Sequence, residues 1–498
     1  MDSIEIRNPV TEKIVGAVPR AGPGDCERTV SKAREALPQW QDPGFSHRAK
    51  IIGRFHDLIL QRRVQILDLI QAETGKTRRD ALAELLTVAG TARYYLAHGE
   101  RHLAARRHRG AVPGITSAEV IHKPHGVVGL ITPWNYPFLL GIADALPALL
   151  AGNAVVTKPS ELAPLSAVLA RDLLIECGLD GRLVSVLHGD GAAGAELVRH
   201  VDCIGFTGGT DTGRKVAVAA AERLIPCSLE LGGKNPMIVL EGAPLDAAAA
   251  GLVAAAFANC GQTCISMERV YVQQSIYPEF ARKVAEKVRR LRIGWSADWT
   301  VDVGSMINEA HARKVLDHVE RAKAAGASVM VGGAGRPDLG KAFVEPTVLE
   351  NVDDSMAIAR DETFGPVVSL FPVRDREEAI SRANNSAYGL NASVWAKSAG
   401  EAREIACRMD TGSAAINSTL LIYSSFDVPM GGVKMSGAGR RHGEDGILRY
   451  THSQSIVGGP AAGGGYDALA LNIRNQRMAD LFAGLFKWWR RIPGKWGQ

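Results

Sequence analysis

From Val127 onward the sequence alternates short β-branched or apolar runs with helical stretches, and no other feature restricts the fold as strongly. "VVGLIT", "AVVTKPS", "LVSVLHG", "CIGFTGG" and "PCSLELGG" are separated by the helical patterns "ALPALLAGN" and "AAGAELVRHV" and by a helix after Thr212. Strands that alternate with helices pair in parallel and must be covered on both faces, which suits a short apolar run such as "VVGLIT". Such a sheet leaves a crevice at the carboxyl ends of its strands, the usual ligand site of an α/β fold.

The flanks extend this picture. Residues 24 to 105 carry apolar positions at three and four spacing, so the spacing predicts several helices there. After the first sheet come the strand "PMIVL", the Ala-rich helix "LDAAAAGLVAAAFAN" with Asp246 as its candidate cap, and the strand "ERVYVQQ". Helices at 276–292 and 306–325 and strands in "FVEPTVLENV" and "GPVVSLFPV" follow, which predicts a second α/β domain. The glycine-rich "GGPAAGGG" at 458–465 reads as a flexible linker before a C-terminal tail.

At 498 residues the chain exceeds what one core can organise. With 46% hydrophobic and 22% charged residues and a formal charge of +5, it has neither a disordered composition nor a nucleic-acid footprint. The one basic cluster, "RHLAARRHRG" at 101–110, reads as a solvated helix end. Seven cysteines without a regular framework indicate reduced thiols and a cytoplasmic setting. The start, "MDSIEIRNPV", lacks a secretory apolar segment, and no run approaches the roughly 18 apolar residues of a membrane span.

The stretch "NCGQTCISMERVYV" places Cys260 and Cys264 four residues apart. A zinc site needs further Cys or His ligands at compatible spacing, and none is nearby, so no metal is expected. Two readings remain from the residues alone: a pair of buried small hydrophobes, or a nucleophile at Cys264 on the tight loop that leaves the helix through Asn259 and Gly261.

Seven motifs in order then carry a resemblance: "PWNYP" (133–137), "KPSE" (158–161), "FTGG" (206–209), "LELGGKNP" (229–236), "GQTC" (261–264), "ETFGPV" (362–367) and "MGGVKMSGAGR" (430–440). Over residues 5 to 457 the chain resembles the aldehyde dehydrogenase superfamily, with a texture most similar to bacterial succinate-semialdehyde dehydrogenase-like and broad-specificity NAD-dependent enzymes. The resemblance implies a Rossmann-like NAD-binding domain (1–110 and 126–235), a second α/β catalytic domain (236–446), and a small β oligomerisation arm (111–125 and 447–457). It further implies that Cys264 adds to the aldehyde carbonyl, that Glu230 is the general base, and that Asn135 with the Cys264 backbone N–H stabilises the oxyanion. The residue types suit these tasks: a thiol needs a base or positive surroundings to ionise at neutral pH, and two aimed donors stabilise a charge that exists only after attack.

No G-x-G-x-x-G follows the first strand of the sheet. The resemblance assigns pyrophosphate binding instead to "FTGGTDTG", where Thr207, Gly208 and Gly209 precede a helix whose N-terminus favours an anion. Gly209 departs from the family's usual serine, so weaker or shifted phosphate contacts are expected. Lys158 and Glu161 would hold the adenine ribose, the carboxylate favouring NAD while leaving NADP open. Glu362 and Phe364 would hold the nicotinamide ribose and cover the ring, and Trp134, Leu231 and Gly232 complete the implied cofactor set.

The well-characterised semialdehyde enzymes are similar in placing arginines eight residues after the oxyanion Asn and six before the nucleophile, positions held here by Ala143 and Ala258. With Phe138, Leu139, Leu140 and Ile142 near the same helix start, the tunnel reads as apolar, unless Arg269 or another cation enters from elsewhere. The expected substrate is a neutral medium- or long-chain or aromatic aldehyde, and the alternative is succinate semialdehyde. Capture of the thioester by coenzyme A is disfavoured by Glu230, because acylating relatives usually lack that base. The resemblance also implies a homodimer or homotetramer built on "YTHSQSIV" (450–457). In the tail (472–498), Leu481, Phe482, Leu485, Phe486 and Trp489 fall on one helical side beside Lys487, Arg490, Arg491 and Lys495, which suggests either a peripheral contact on the inner face of the membrane or a helix docked on protein.

Overall fold

The computed structural model describes residues 2–110, 116–459 and 473–489. The chain forms two compact units, one from residues up to 103 together with 124–452, the other from 104–123 together with the chain beyond 452. Residues 111–115, 460–472 and 490–498, which include part of the expected arm, most of the linker and the cationic end of the tail, lie outside the described residues.

In the first unit, six strands line up in the order Gly437–Ala438, Cys227–Glu230, Cys203–Thr207, Val127–Thr132, Ala154–Pro159, Val184–Val186. All neighbours pair in parallel except Gly437–Ala438, which runs antiparallel to Cys227–Glu230. Val127–Thr132 and Ala154–Pro159 are buried at every position, as strands covered on both faces require. Their cover includes the expected N-terminal helices Asp25–Gln41, Gly44–Gln61, Arg63–Thr74 and Arg78–Leu103, whose apolar stripes (Phe55, Ile66, Leu85, Val88) enter the same core as Val128 and Leu130.

A second core surrounds seven strands in the order Ser328–Val331, Thr347–Glu350, Val367–Val373, Met267–Gln273, Asn235–Val239, Asn391–Trp395, Ser413–Ile416. Only the edge pair Ser328–Val331 and Thr347–Glu350 is antiparallel. The Ala-rich helix Leu245–Phe257 lies against this sheet, its small side chains allowing close approach. Asp246 does not cap it: the helix has no side-chain cap, and Asp246 pairs with Lys283 at 2.8 Å instead. A carboxylate in the first helical turn gains as much from the macrodipole and a nearby ammonium as from a cap.

The N-terminal hairpin Ser3–Arg7 and Ile14–Pro19 was not signalled by the sequence reading. The basic cluster at 101–110 is also different from expectation. Its helix stops at Leu103 and Arg106–Arg109 forms an exposed strand, because alternating long side chains can all reach water from a sheet edge. That strand belongs to the second unit, a three-stranded sheet ordered Thr451–Gly458, Ser117–Pro124, Arg106–Arg109. The tail in this unit contains the helix Gln476–Trp489. Among the described residues no helix is long and apolar enough to cross a membrane, and no cluster of metal-ligating side chains occurs.

Candidate active site

Cys264 sits on a loop whose shape is set by three successive left-handed residues, Asn259 (φ 49°), Cys260 (φ 56°) and Gly261 (φ 71°). A Cβ on Gly261 would come within 2.0 Å of the Gly365 carbonyl oxygen, so only glycine lets this loop press against the "ETFGP" turn. Gln262 locks the loop from inside, donating to Asn259 O at 2.9 Å and accepting from Ile307 N at 2.8 Å. Cys260 is fully buried and serves as core, whereas Cys264 keeps partial exposure on a cavity. Asn235 Nδ2 binds the Cys264 carbonyl at 2.8 Å. Burial pushes the thiol up to about 12, against the pull of Arg441, so a base must take its proton.

That cavity, about 240 Å³, is lined by Cys264, Glu230 and Asn135 together with Trp134, Thr207, Gly208, Gly209, Leu231, Gly232, Glu362 and Phe364. The carboxyl end of Cys227–Glu230 delivers Glu230, which is 6% exposed. Its Oε1 has no hydrogen-bond partner in the protein, and burial raises its pKa while Arg441 and Arg449 oppose the rise. A carboxylate so placed can act as a base toward a thiol or a water.

Asn135 is held rigidly. Its Nδ2 donates to Gln262 O at 3.0 Å, and its own carbonyl accepts from Lys76 Nζ at 2.7 Å and Asn259 Nδ2 at 2.8 Å. The following helix, Pro137–Ile142, starts against Glu84, whose Oε2 accepts from Leu139 N at 3.0 Å. An amide held through one N–H and through its own backbone, next to a nucleophile and with its second N–H to spare, is a preorganised donor for developing negative charge.

On the opposite wall, Glu362 Oε1 accepts from Gly233 N at 2.9 Å, and burial pushes the Glu362 carboxyl up to about 8. The buried pair Lys234 and Glu268 supports this turn, Glu268 accepting from Thr363 N at 3.0 Å and Phe364 N at 3.4 Å. Phe364 takes a left-handed φ of 51° and meets Trp134 edge-on at 5.6 Å. The helix Thr210–Glu222 begins without a side-chain cap directly after Gly209, which lines the cavity. Uncapped amides, the glycines and a buried carboxylate fit a dinucleotide's pyrophosphate and ribose. Lys158 and Glu161 do not line this cavity. They pair at 3.8 Å at the carboxyl end of Ala154–Pro159, Lys158 from the strand itself and also donating to Gly189 O at 2.8 Å.

The profile of the aldehyde dehydrogenase family matches residues 1–456. The chain belongs to the aldehyde dehydrogenase family. A putative succinate-semialdehyde dehydrogenase (NADP+) of Mycolicibacterium smegmatis is 46% identical over 455 residues, covering 90% of this chain and 88% of the relative. A 4,4'-diapolycopene aldehyde oxidase of a Methylomonas species is 38% identical over 461 residues, covering 91% of this chain and 86% of the relative. The crystal structure of a Mycobacterium tuberculosis aldehyde dehydrogenase complexed with NAD+ superimposes with a TM-score of 0.87 at 34% identity, covering 91% of this chain and 94% of that one. As a member of this family the protein is an NAD(P)-dependent oxidoreductase acting on aldehydes. Of the two substrates weighed from the sequence, the name of the Mycolicibacterium relative matches succinate semialdehyde rather than a neutral aldehyde.

In this aldehyde dehydrogenase a second cavity, about 700 Å³, shares Tyr136, Leu139 and Tyr423 with the first. It opens past apolar Leu86, Val253, Phe257 and Ala258 toward the exposed Arg79 and Arg290. Of the residues expected to make it apolar, Leu139 contributes, and Leu140 lines the Cys264 cavity. Phe138 and Ile142 are packed in the core. Arg269 does not reach either cavity: it is 3% exposed and its guanidinium donates to Lys234 O and Ala383 O, because a buried cation without a carboxylate takes backbone carbonyls.

The sequence reading missed Arg441, Tyr423, His311 and Lys314, all of which line the Cys264 cavity. Arg441 was adjacent to a quoted motif, and its juxtaposition with Asp144 across 297 positions is invisible in one dimension. His311 meets Trp134 edge-on at 5.1 Å from the helix Glu309–Ala324, which carried no motif.

Proposed function

We propose that Cys264, Glu230 and Asn135 carry out NAD(P)-dependent oxidation of an aldehyde to a carboxylic acid. The observation that supports this most is that all three, with the glycines and carboxylate suited to a dinucleotide, line one cavity. Cys264 loses its proton to Glu230 and adds to the aldehyde carbon, and the resulting oxyanion is met by Asn135 Nδ2 and the Cys264 N–H. The cofactor, when bound, supplies the hydride acceptor that converts the adduct to a thioester. Glu230 passes the thiol proton on to solvent, water adds to the thioester carbonyl as the ionised Glu230 takes a proton from it, and the C–S bond breaks with its electron pair on sulfur. The test is NADH or NADPH formation over an aldehyde panel with and without coenzyme A. Turnover that requires coenzyme A refutes hydrolysis.

For the substrate, the name of the 46% identical relative favours succinate semialdehyde, and Arg79, Lys287 and Arg290 on the larger cavity offer positive charge to a carboxylate. The apolar lining, Ala143 and Ala258, and the carotenoid-aldehyde name of the Methylomonas relative favour a neutral aldehyde of greater length. Catalytic efficiency across a chain-length series set against succinate semialdehyde decides between them. Glu161 supports a preference for NAD, since a carboxylate accepts from a ribose hydroxyl and repels a 2′-phosphate. A higher kcat/KM with NADP than with NAD refutes that preference.

The edge strand Thr451–Gly458 is exposed along most of its length, with Val457 67% exposed, which supports pairing with a second copy in a dimer or tetramer. Light scattering checks this. The helix Gln476–Trp489 exposes Leu481 and Phe486, which supports a peripheral lipid contact, and failure to co-float with anionic vesicles excludes it.

A further inference from the structure

The catalytic cavity shares part of its wall with a third, small one of about 20 Å³, room for roughly one water. Tyr95, Asp144, His442 and Arg449 line it, and Arg441, Tyr423, Leu139 and Met430 line both cavities. Arg441 is 13% exposed. Its Nη2 contacts Asp144 Oδ2 at 3.2 Å and Thr207 Oγ1 at 3.1 Å. Arg449 reaches the other oxygen of the same carboxylate at 2.7 Å. Asp144 therefore serves two guanidinium groups. Arg441 Nε is buried without a partner in the protein, and so is Glu230 Oε1 on the shared cavity.

The charges explain the arrangement. Arg441 and Arg449 carry two positive charges and Asp144 one negative, so this half-buried cluster balances only if the buried Glu230 is ionised. Glu362, pushed up by burial to about 8, and Lys314, which opposes that rise, also line the cavity, and the remaining groups are neutral. Cys264 is held as a thiol by burial, His442 is pushed down to about 4 and stays neutral, and burial raises the Tyr95 and Tyr450 hydroxyls. Arg440 adds a weaker positive field from outside, its guanidinium donating to Gly432 O at 2.8 Å and Gly439 O at 2.7 Å.

We propose that Arg441 is a positioning residue for thioester hydrolysis: anchored by Asp144 on the wall that the catalytic cavity shares with the small one, its guanidinium keeps Glu230 ionised and able to take the proton of the attacking water. Without that charge, Arg449 and Asp144 neutralise one another and an ionised Glu230 is a buried net negative charge, which favours the protonated and inactive form. The same field lets Glu230 release the proton it has taken and return to work. This inference rests on the assignment of Glu230 as the base.

The experiment compares wild type, Arg441→Met, Arg441→Lys and Glu230→Gln by acid release after the first burst of NADH, from pH 6 to pH 10. Arg441→Met is expected to release acid at least about tenfold more slowly at pH 7 and to recover toward the wild-type rate at high pH, its acidic limb moved up by about 1 unit or more. Arg441→Lys keeps the charge and is expected to keep the wild-type limb. An Arg441→Met limb that coincides with that of wild type, or a loss that high pH does not recover, overturns the proposal. If Arg441→Met does not fold, Arg441→Gln, which retains a donor for Asp144, is read in the same way. A Glu230→Gln enzyme with the wild-type limb instead refutes Glu230 as the base, a distinguishable failure.

Discussion

Lys76 Nζ and Glu84 Oε1 lie 2.5 Å apart with neither side chain exposed, and between them they hold both sides of the "WNYP" turn. Lys76 donates to the carbonyl of Asn135, and Glu84 accepts from the N–H of Leu139. The pair sits on the segment leading into and along the helix Arg78–Leu103, far in sequence from the nucleophile, yet it orients the amide that faces Cys264.

Removing one partner leaves a buried charge unpaired. Lys76→Met is expected to cost about 3–5 kcal/mol of stability. It also frees the Asn135 backbone and lowers kcat. Thermal unfolding and steady-state kinetics on the same preparation check both effects. A change within about 0.5 kcal/mol would show that the pair has relaxed into water-bridged contacts.

Cys264→Ala is expected to abolish aldehyde oxidation while retaining cofactor binding. Glu230→Gln is expected to keep cofactor binding and slow thioester release by about 100-fold or more. Rapid-quench measurement of the acyl-enzyme distinguishes the two variants, since Cys264→Ala forms none, whereas Glu230→Gln forms it slowly, its thiol proton left to solvent base, and then retains it. Turnover of either variant within a few-fold of wild type contradicts the assignment.

Cofactor affinity is expected to rise with pH through about 8, the value to which burial pushes Glu362. Below that value the carboxyl is mainly protonated, and binding that uses its ionised form as an acceptor must expel a proton. Above it, no such cost remains. Calorimetry in buffers of different ionisation enthalpy is expected to show proton release near pH 7 and none near pH 9.5, and Glu362→Gln to remove the difference.

Ala258 lines the larger cavity just before the left-handed loop of the nucleophile. Ala258→Arg adds a cation to an apolar wall, so kcat/KM for succinate semialdehyde is expected to rise relative to that for a neutral aldehyde of similar length. A tenfold change in the ratio corresponds to about 1.4 kcal/mol, a modest demand on one partly solvated ion pair. Parallel losses for both substrates would indicate a steric block rather than a change of preference.

Much of this was open to inspection in one dimension, because the relevant forces are local. Continuous apolar runs such as "VVGLIT" must be covered on both faces, and Asn259 and Gly261 mark a tight loop before Cys264. The readings that failed depended on what lies across space. Asp246 met Lys283 from another helix, Arg106–Arg109 found a strand partner, and Arg269 found backbone carbonyls of a neighbouring segment.

By itself, then, the sequence determined two α/β cores and the order of the segments that reach the catalytic cavity, since periodicity and turn residues act over a few positions. Only the tertiary structure decided the charge around Glu230. Asp144, Glu230 and the neighbouring Arg441 and Arg449 come from three distant parts of the chain, and the energy of a buried charge depends on the distances among all of them, which no local pattern encodes.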